Sequence, residues 1–123
     1  VDHGATTIWE AWDADEARKG GRFVSFNHYA FGCVDDFLAR RIAGLQPEAP
    51  GYTKVRIAPR LMGGLTSLDR TFYSENGEIR IFVKKDKLSV TIPCGVTAKV
   101  EWGGGVTQTG SGTYTFDRFG RKE

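Results

Sequence analysis

The sequence has few of the residues on which metal centres, disulfide frameworks and redox sites depend. Its 123 residues include two cysteines, Cys33 and Cys94, and two histidines, and these match no metal-ligand spacing. We therefore expect no metal and no other cofactor. The two thiols are expected to be free and buried. Whether they could pair stays open, because a disulfide requires Cα atoms within about 7 Å of each other.

Excess charge and long apolar runs are also missing. Seventeen basic residues against fifteen acidic ones leave a net charge of +2, which gives no electrostatic case for nucleic acid or for an anionic membrane surface. No apolar run is long enough to cross a bilayer. The chain begins Val1-Asp2-His3-Gly4, without a signal peptide and without Met. We expect a piece of a longer protein, whose location, cytoplasmic or secreted, is open.

A helical period dominates the first 45 positions. Apolar side chains recur at steps of three and four residues and predict a helix over 27–43, ended by Gly44: Phe31, Val34, Phe37, Leu38 and Ile42. An earlier helix start is predicted at Thr7, where Glu10 would complete a capping box. The polar run 14–21, which ends in two glycines, is predicted to be a loop.

From residue 46 the period changes to two. The break in composition at 46–51 predicts a domain boundary, with one domain over 1–45 and a second over 46–123. Ile79, Ile81 and Val83 should share a buried face after a hairpin turn at Asn76-Gly77. About seven such short strands, separated by turn signals, predict a mainly β fold, an antiparallel β-sandwich or jelly roll. Gly103-Gly104-Gly105 leads into another strand, so a hairpin loop is favoured over a phosphate-binding loop.

Two aromatic-rich motifs carry the functional signal. Residues 5–13 read Ala-Thr-Thr-Ile-Trp-Glu-Ala-Trp-Asp, and residues 25–32 read Ser-Phe-Asn-His-Tyr-Ala-Phe-Gly. Aromatic faces pack on the C–H faces of sugars, and carboxylates and imidazoles bind hydroxyls or move protons. For an isolated Trp-Glu pair, aromatics that simply fill a core would be the favoured interpretation. The two long motifs in this order, however, resemble the end of the catalytic domain of bacterial α-L-rhamnosidases, glycoside hydrolase family 78.

The resemblance continues through residues 49–66 into the C-terminal part of that family, and it covers residues 5–102. It implies one or two helices from the end of an (α/α)6 barrel, followed by a C-terminal β-sandwich. It also implies a parent enzyme that removes terminal α-L-rhamnose from glycosides or polysaccharides with inversion. By position, Glu10 would be the general base, His28 a substrate-binding residue, and Trp9 and Trp12 walls of the sugar site.

Inversion requires a second carboxyl group, about 6.5–9.5 Å from the first, as general acid. In the family this acid lies upstream of the base, in motifs that this sequence does not contain. Asp35, Asp36 and Asp69 are better explained as helix surface or turn residues, and Asp13 as a cap or an ion-pair partner. The isolated chain is therefore expected to be inactive.

One alternative function remains. The chain could be a stand-alone β-sandwich module that binds carbohydrate or serves a structural role, if Trp102, Tyr114 and Phe116 formed an exposed platform. Their alternation with polar residues favours a position in the core instead.

The apolar stripe of the predicted helix would lack its barrel neighbours. We therefore expect self-association through residues 27–43.

Overall fold

Residues 3–118 are described by the structure, a computed structural model, and they divide into two units, 3–36 and 37–118. The first unit contains a short helix, α1, at Ala14–Lys19, and a 3-10 turn at Tyr29–Cys33. A second short helix, α2, spans Val34–Phe37, and the boundary between the two units falls within it. The predicted domain boundary at residue 45 stays a prediction. None of the helices within 3–118 combines the length and the apolarity needed to cross a membrane.

The loop predicted for residues 14–21 is wrong, because α1 occupies most of it. Acidic side chains lie in the first turn of α1 and basic ones in its last turn, an arrangement that the helix dipole favours. Only Ala14 is buried. Helix α1 therefore has no apolar stripe that periodicity could detect. The helix start predicted at Thr7 is also wrong, since residues 7–10 are not helical.

The predicted helix over 27–43 is helical from residue 29 to residue 42, but not as one regular α-helix. The 3-10 turn and α2 are followed by a π-helical turn at Leu38–Ile42, in which the Ala43 N–H donates to the Leu38 carbonyl at 2.9 Å. Gly44 then ends the segment with a positive φ of 73°, as expected for a residue after a helix.

Eight strands form the second unit, arranged in two four-stranded sheets. The first sheet has the order β1-β2-β6-β7: Leu45–Pro47, Lys54–Ile57, Thr97–Trp102 and Gly105–Thr109. The second has the order β3-β4-β5-β8: Ser67–Ser74, Gly77–Lys84, Lys87–Ile92 and Gly112–Asp117. A 3-10 turn at Pro50–Tyr52 connects β1 to β2. The predicted mainly β sandwich fold is confirmed, with β1 as a strand that the sequence pattern did not reveal.

One strand pair departs from the predicted antiparallel arrangement. Strands β2 and β6 run parallel, with Val55 beside Ala98 and Ile57 beside Val100. Between them the chain builds β3, β4 and β5 of the other sheet, so it returns to the first sheet in the same direction. Parallel neighbours require such a long crossover connection.

The core lies between the two sheets, and all of its strand residues apart from Leu45 are ones that the alternation marked. Leu45, Val55, Ile57, Ala98 and Val100 come from the first sheet, and Ile79, Ile81, Val83, Leu88, Val90 and Ile92 from the second. Trp102, Tyr114 and Phe116 pack against this core and are partly buried. Their placement confirms the prediction that these aromatics face inward.

The hairpin predicted at Asn76-Gly77 is present, but its turn is displaced by one residue. Ser74 pairs with Gly77, so the two turn residues are Glu75 and Asn76. The Asn76 side chain donates to the Gly51 carbonyl at 3.0 Å and thereby ties the hairpin turn to the β1–β2 connection.

The segment that follows the π-helical turn approaches the segment that follows β2 very closely. The Ala58 N–H donates to the Gly44 carbonyl at 3.0 Å, and the Arg60 N–H donates to the Ile42 carbonyl at 2.9 Å. A Cβ atom added to Gly44 would lie 2.2 Å from the carbonyl carbon and oxygen of Ala58. Only glycine fits here without moving one of the two segments.

Both cysteines are free and exposed, so the prediction that they are buried is wrong. Cys33 lies in the 3-10 turn at Tyr29–Cys33, in which every residue is exposed, and Cys94 lies in the turn between β5 and β6. Their positions in turns, rather than in the apolar pattern, explain the exposure.

Candidate active site

The two aromatic motifs lie side by side in the first unit. The Glu10 N–H donates to the Ser25 carbonyl at 2.9 Å, and the His28 N–H donates to the Ile8 carbonyl at 2.8 Å. The Thr7 hydroxyl donates to the Phe26 carbonyl. These bonds connect residues 15 to 20 positions apart and bring Glu10 and His28, which the resemblance selects, onto two neighbouring segments.

The Glu10 side chain is hydrogen-bonded to Ser25, not to Thr7 as the sequence predicted. Its carboxylate oxygen Oε2 accepts a hydrogen bond of 2.7 Å from the Ser25 N–H, so the predicted capping box with Thr7 is not formed. Within residues 3–118, no donor is hydrogen-bonded to the other oxygen, Oε1. The carboxylate is thus oriented through one oxygen while the second can still accept a proton.

Trp9 lies at the centre of a small aromatic cluster. Its ring meets Phe26 edge to face, with the ring centroids 5.0 Å apart, and His3 lies at 6.5 Å. On Phe26, the guanidinium of Arg18 stacks at 5.6 Å from the ring centroid. These contacts fix the indole next to Glu10 in the same segment.

His28 and Trp12 have different surroundings. The imidazole of His28 is half-buried and packs at 5.0 Å from the ring of Phe31 and at 6.3 Å from that of Tyr29. Trp12, in contrast, is 99% exposed. Of the four predicted site residues, Trp9, Glu10 and His28 are therefore held by neighbours, whereas the Trp12 indole stands in solvent. The roles assigned to all four stay predictions.

The other carboxylates considered in the sequence are engaged elsewhere. Asp13 accepts a hydrogen bond of 3.0 Å from Arg22, which confirms its expected ion pair. Asp69 lies in strand β3, not in a turn as predicted, and binds the Arg80 guanidinium through both oxygens at 3.0 and 2.7 Å. This pairing lowers the pKa of Asp69.

A pair of titratable groups that the sequence pattern did not indicate, His3 and Asp15, lies next to Trp9. The His3 Nδ1 atom lies 2.9 Å from Asp15 Oδ2, and this hydrogen bond is the main cause of the lowered pKa of Asp15. Its partners are 12 positions apart on segments without a shared pattern, so no sequence signal connects them. Among the residues described, no three His, Cys, Asp or Glu side chains are grouped in a way that could hold a metal ion.

Comparison with known proteins identifies the family on both sides of residue 43. The family model of the bacterial alpha-L-rhamnosidase 6 hairpin glycosidase domain matches residues 1–42, and that of the bacterial alpha-L-rhamnosidase C-terminal domain matches residues 44–115. The chain belongs to the bacterial α-L-rhamnosidase family.

Individual α-L-rhamnosidases agree with this assignment. The chain is 36% identical to an alpha-L-rhamnosidase of Streptomyces avermitilis over 107 residues, and 34% identical to one of Formosa agariphila over 108 residues. These alignments cover 81% and 82% of this chain, but only 10% and 12% of the relatives. The chain thus spans about a tenth of the length of the α-L-rhamnosidases that it matches.

Solved α-L-rhamnosidases show the same fold. The crystal structure of the S. avermitilis enzyme complexed with L-rhamnose matches 93% of this chain with a TM-score of 0.76 at 32% identity. The native enzyme of Aspergillus terreus matches 94% of it with a TM-score of 0.77 at 29% identity. The chain covers 14% and 15% of these two structures.

Proposed function

We propose that this chain is the C-terminal part of an inverting α-L-rhamnosidase that removes terminal α-L-rhamnose from glycosides or polysaccharides. In this proposal Glu10 is the general base that activates the attacking water. Membership of the α-L-rhamnosidase family supports the substrate class, and the L-rhamnose complex of the Streptomyces avermitilis relative agrees with it.

The geometry of the Glu10 carboxylate is the observation that carries the assignment. A general base needs a fixed orientation and an oxygen that can receive a proton from water. The Ser25 N–H fixes Oε2 at 2.7 Å, and Oε1 has no donor among residues 3–118. One backbone amide thus orients the group and leaves the other oxygen for the water.

The remaining site residues would hold the sugar. His28, in the segment bonded to Ile8, can bind a rhamnose hydroxyl through its imidazole. Trp9 offers an aromatic wall that Phe26 holds in place, and a sugar C–H face can pack on such a surface. Trp12 would complete the wall from its exposed position.

A single carboxylate cannot complete the reaction. Inversion requires an acid on one side of the scissile bond and a base on the other, about 6.5–9.5 Å apart. Asp13 and Asp69 are both held in ion pairs with arginines. We therefore expect that the 123-residue chain alone does not hydrolyse aryl α-L-rhamnosides, and that the general acid comes from other parts of the parent enzyme.

The test is made in a longer protein that contains this chain together with the remainder of the catalytic domain. Glu10→Gln is expected to lower kcat by about 10²- to 10⁴-fold, the usual contribution of general base catalysis. Asp13→Asn is the matched control, because it removes a neighbouring carboxylate that has no proposed role. Proton NMR of the first turnovers should show the inverted anomer. Equal activities of the two variants would exclude Glu10 as the base, and a retained anomer would exclude the inverting mechanism.

The alternative of a stand-alone carbohydrate-binding sandwich is not favoured by any observation on its proposed platform. Trp102, Tyr114 and Phe116 pack against the core and do not form an exposed row of rings.

A further inference from the structure

Four arginines meet around one cavity of about 180 Å³ in the second unit. They come from three separate segments: Arg40 and Arg41 from the π-helical turn, Arg56 from strand β2, and Arg60 from the segment after it. We call this cavity the arginine pocket. Gln46, Phe37 and Met62 also line it, and none of its lining residues is acidic.

One arginine of the pocket, Arg56, forms a bidentate ion pair. Arg56 binds both carboxylate oxygens of Glu101, with a distance of 2.8 Å from Nε to Oε1. This pairing raises the pKa of Arg56 and lowers the pKa of Glu101 to about 2, so both groups stay charged at neutral pH. Within residues 3–118, no acidic side chain is paired with Arg41 or Arg60.

The positive surface continues beyond the pocket. A neighbouring hollow of about 270 Å³ shares Arg60 with the arginine pocket and adds Arg118, whose guanidinium stacks 5.4 Å from the centre of the Trp102 ring. Glu101 lies at this hollow, where Lys99 approaches it at 3.4 Å in addition to Arg56. Five arginines thus line the two adjoining hollows, and Arg118 also lies 3.8 Å from Asp86.

Guanidinium groups are suited to one kind of ligand in particular. Their paired N–H donors match the two oxygens of a carboxylate, and such charged hydrogen bonds are about twice as strong as neutral ones. In Gln46, the amide nitrogen already donates to the Arg40 carbonyl at 3.2 Å. Its amide oxygen is an acceptor that suits a hydroxyl next to the carboxylate.

We propose that the arginine pocket binds the carboxylate of an acidic saccharide, with Arg41 and Arg60 as its main ligands. The choice of a saccharide over an acidic peptide rests on the proposed function, since a glycosidase meets glycans. The adjoining hollow, with Trp102 and the two-glycine turn 103–104, offers room for a neighbouring sugar residue. The pocket would hold a charged part of the polysaccharide through residues of the second unit.

The test measures binding to the full 123-residue chain by calorimetry at low salt. The probe is the trimer of galacturonic acid, and the neutral trisaccharide maltotriose is the control ligand. We expect the acidic trimer alone to bind, and each of Arg41→Gln and Arg60→Gln to weaken binding by about tenfold. Lys84→Gln/Lys85→Gln removes two exposed charges at the end of β4 and in the turn after it, and should weaken binding much less. About 0.5 M salt should weaken it as well, because charges are then screened within a few ångströms.

Several results would overturn the proposal. Equal losses in the arginine variants and in the lysine variant would show a general charge effect without a site. Equal affinities of maltotriose and the acidic trimer would remove the role of the carboxylate. Acetate binding as tightly as the trimer would mean a free-anion site, and tighter binding of a glutamate-rich peptide would mean a protein partner. Thermal unfolding of every variant shows that it is folded. No step measures hydrolysis, so a failure of the Glu10 assignment leaves this result unaffected.

Discussion

Replacing Gly44 by alanine should be among the most damaging single-methyl additions in the second unit. Two costs combine. A φ of 73° costs an L-residue roughly 1–2 kcal/mol. The new Cβ would also lie 2.2 Å from the carbonyl of Ala58, and relieving such overpacking typically costs about 1–3 kcal/mol. Movement away from Ala58 would weaken the 3.0 Å hydrogen bond to Gly44, worth about 1 kcal/mol.

We therefore expect Gly44→Ala to lower the free energy of unfolding by about 2–5 kcal/mol, the sum of the two costs. This is a large part of the roughly 5–15 kcal/mol that holds a typical domain folded. Gly63→Ala is the matched control, because Gly63 has a similar φ of 63° but no atom within 4 Å of the added Cβ. It should lose only the cost of its backbone conformation. Urea unfolding followed by far-ultraviolet circular dichroism measures both. Equal losses in the two variants would refute the argument from close approach.

Three further predictions concern the core, an ion pair and the exposed apolar residues. Ile81→Ala should cost about 2–5 kcal/mol in urea unfolding, because the side chain is fully buried; a loss below about 1 kcal/mol would contradict the core assignment. Because Arg56 lowers the pKa of Glu101 from 4.5 to about 2, this carboxylate should stabilise the fold fully above about pH 4.5, and this stabilisation should disappear as the pH falls through about 2. The Glu101→Gln variant should lack that pH-dependent component, and identical pH profiles of the two proteins would contradict it. Phe37 and Leu38 are 49% and 47% exposed, so the chain should self-associate in sedimentation across a concentration series, and Phe37→Glu/Leu38→Glu should stay monomeric. A strictly monomeric wild type would contradict the self-association.

The sandwich could be predicted because alternation is a local record of burial. Ile79, Ile81 and Val83 stand two residues apart and are all fully buried in strand β4. No pattern in the sequence predicts the parallel pairing of β2 with β6. It depends on which strands meet across about 40 positions of intervening chain, and period two is the same for parallel and antiparallel neighbours.

Local patterns failed where a side chain found a distant partner or where helix formation did not depend on burial. Glu10 stands three residues after Thr7, as in a capping box, yet the Ser25 N–H binds its carboxylate. Helix α1 buries only Ala14, so its polar sequence suggested a loop. The stripe predicted for residues 27–43 also included Ile42, which is 4% exposed and therefore covered. The arginine pocket could not be predicted from the net charge, because the net charge is a sum over all residues and does not show which charged side chains lie close together.

The parallel pair also determines the order in which the two sheets can be completed. Strands β3, β4 and β5 follow one another through short turns, so they can pair as soon as they leave the ribosome. Strand β2 can pair at that time only with β1, and its other edge waits until β6 has been synthesised about 40 residues later. Contacts of long sequence separation slow folding, since a large loop must close before they form. The first sheet therefore has an open edge at β2 while β3, β4 and β5 are synthesised, and this edge can accept wrong partners during folding.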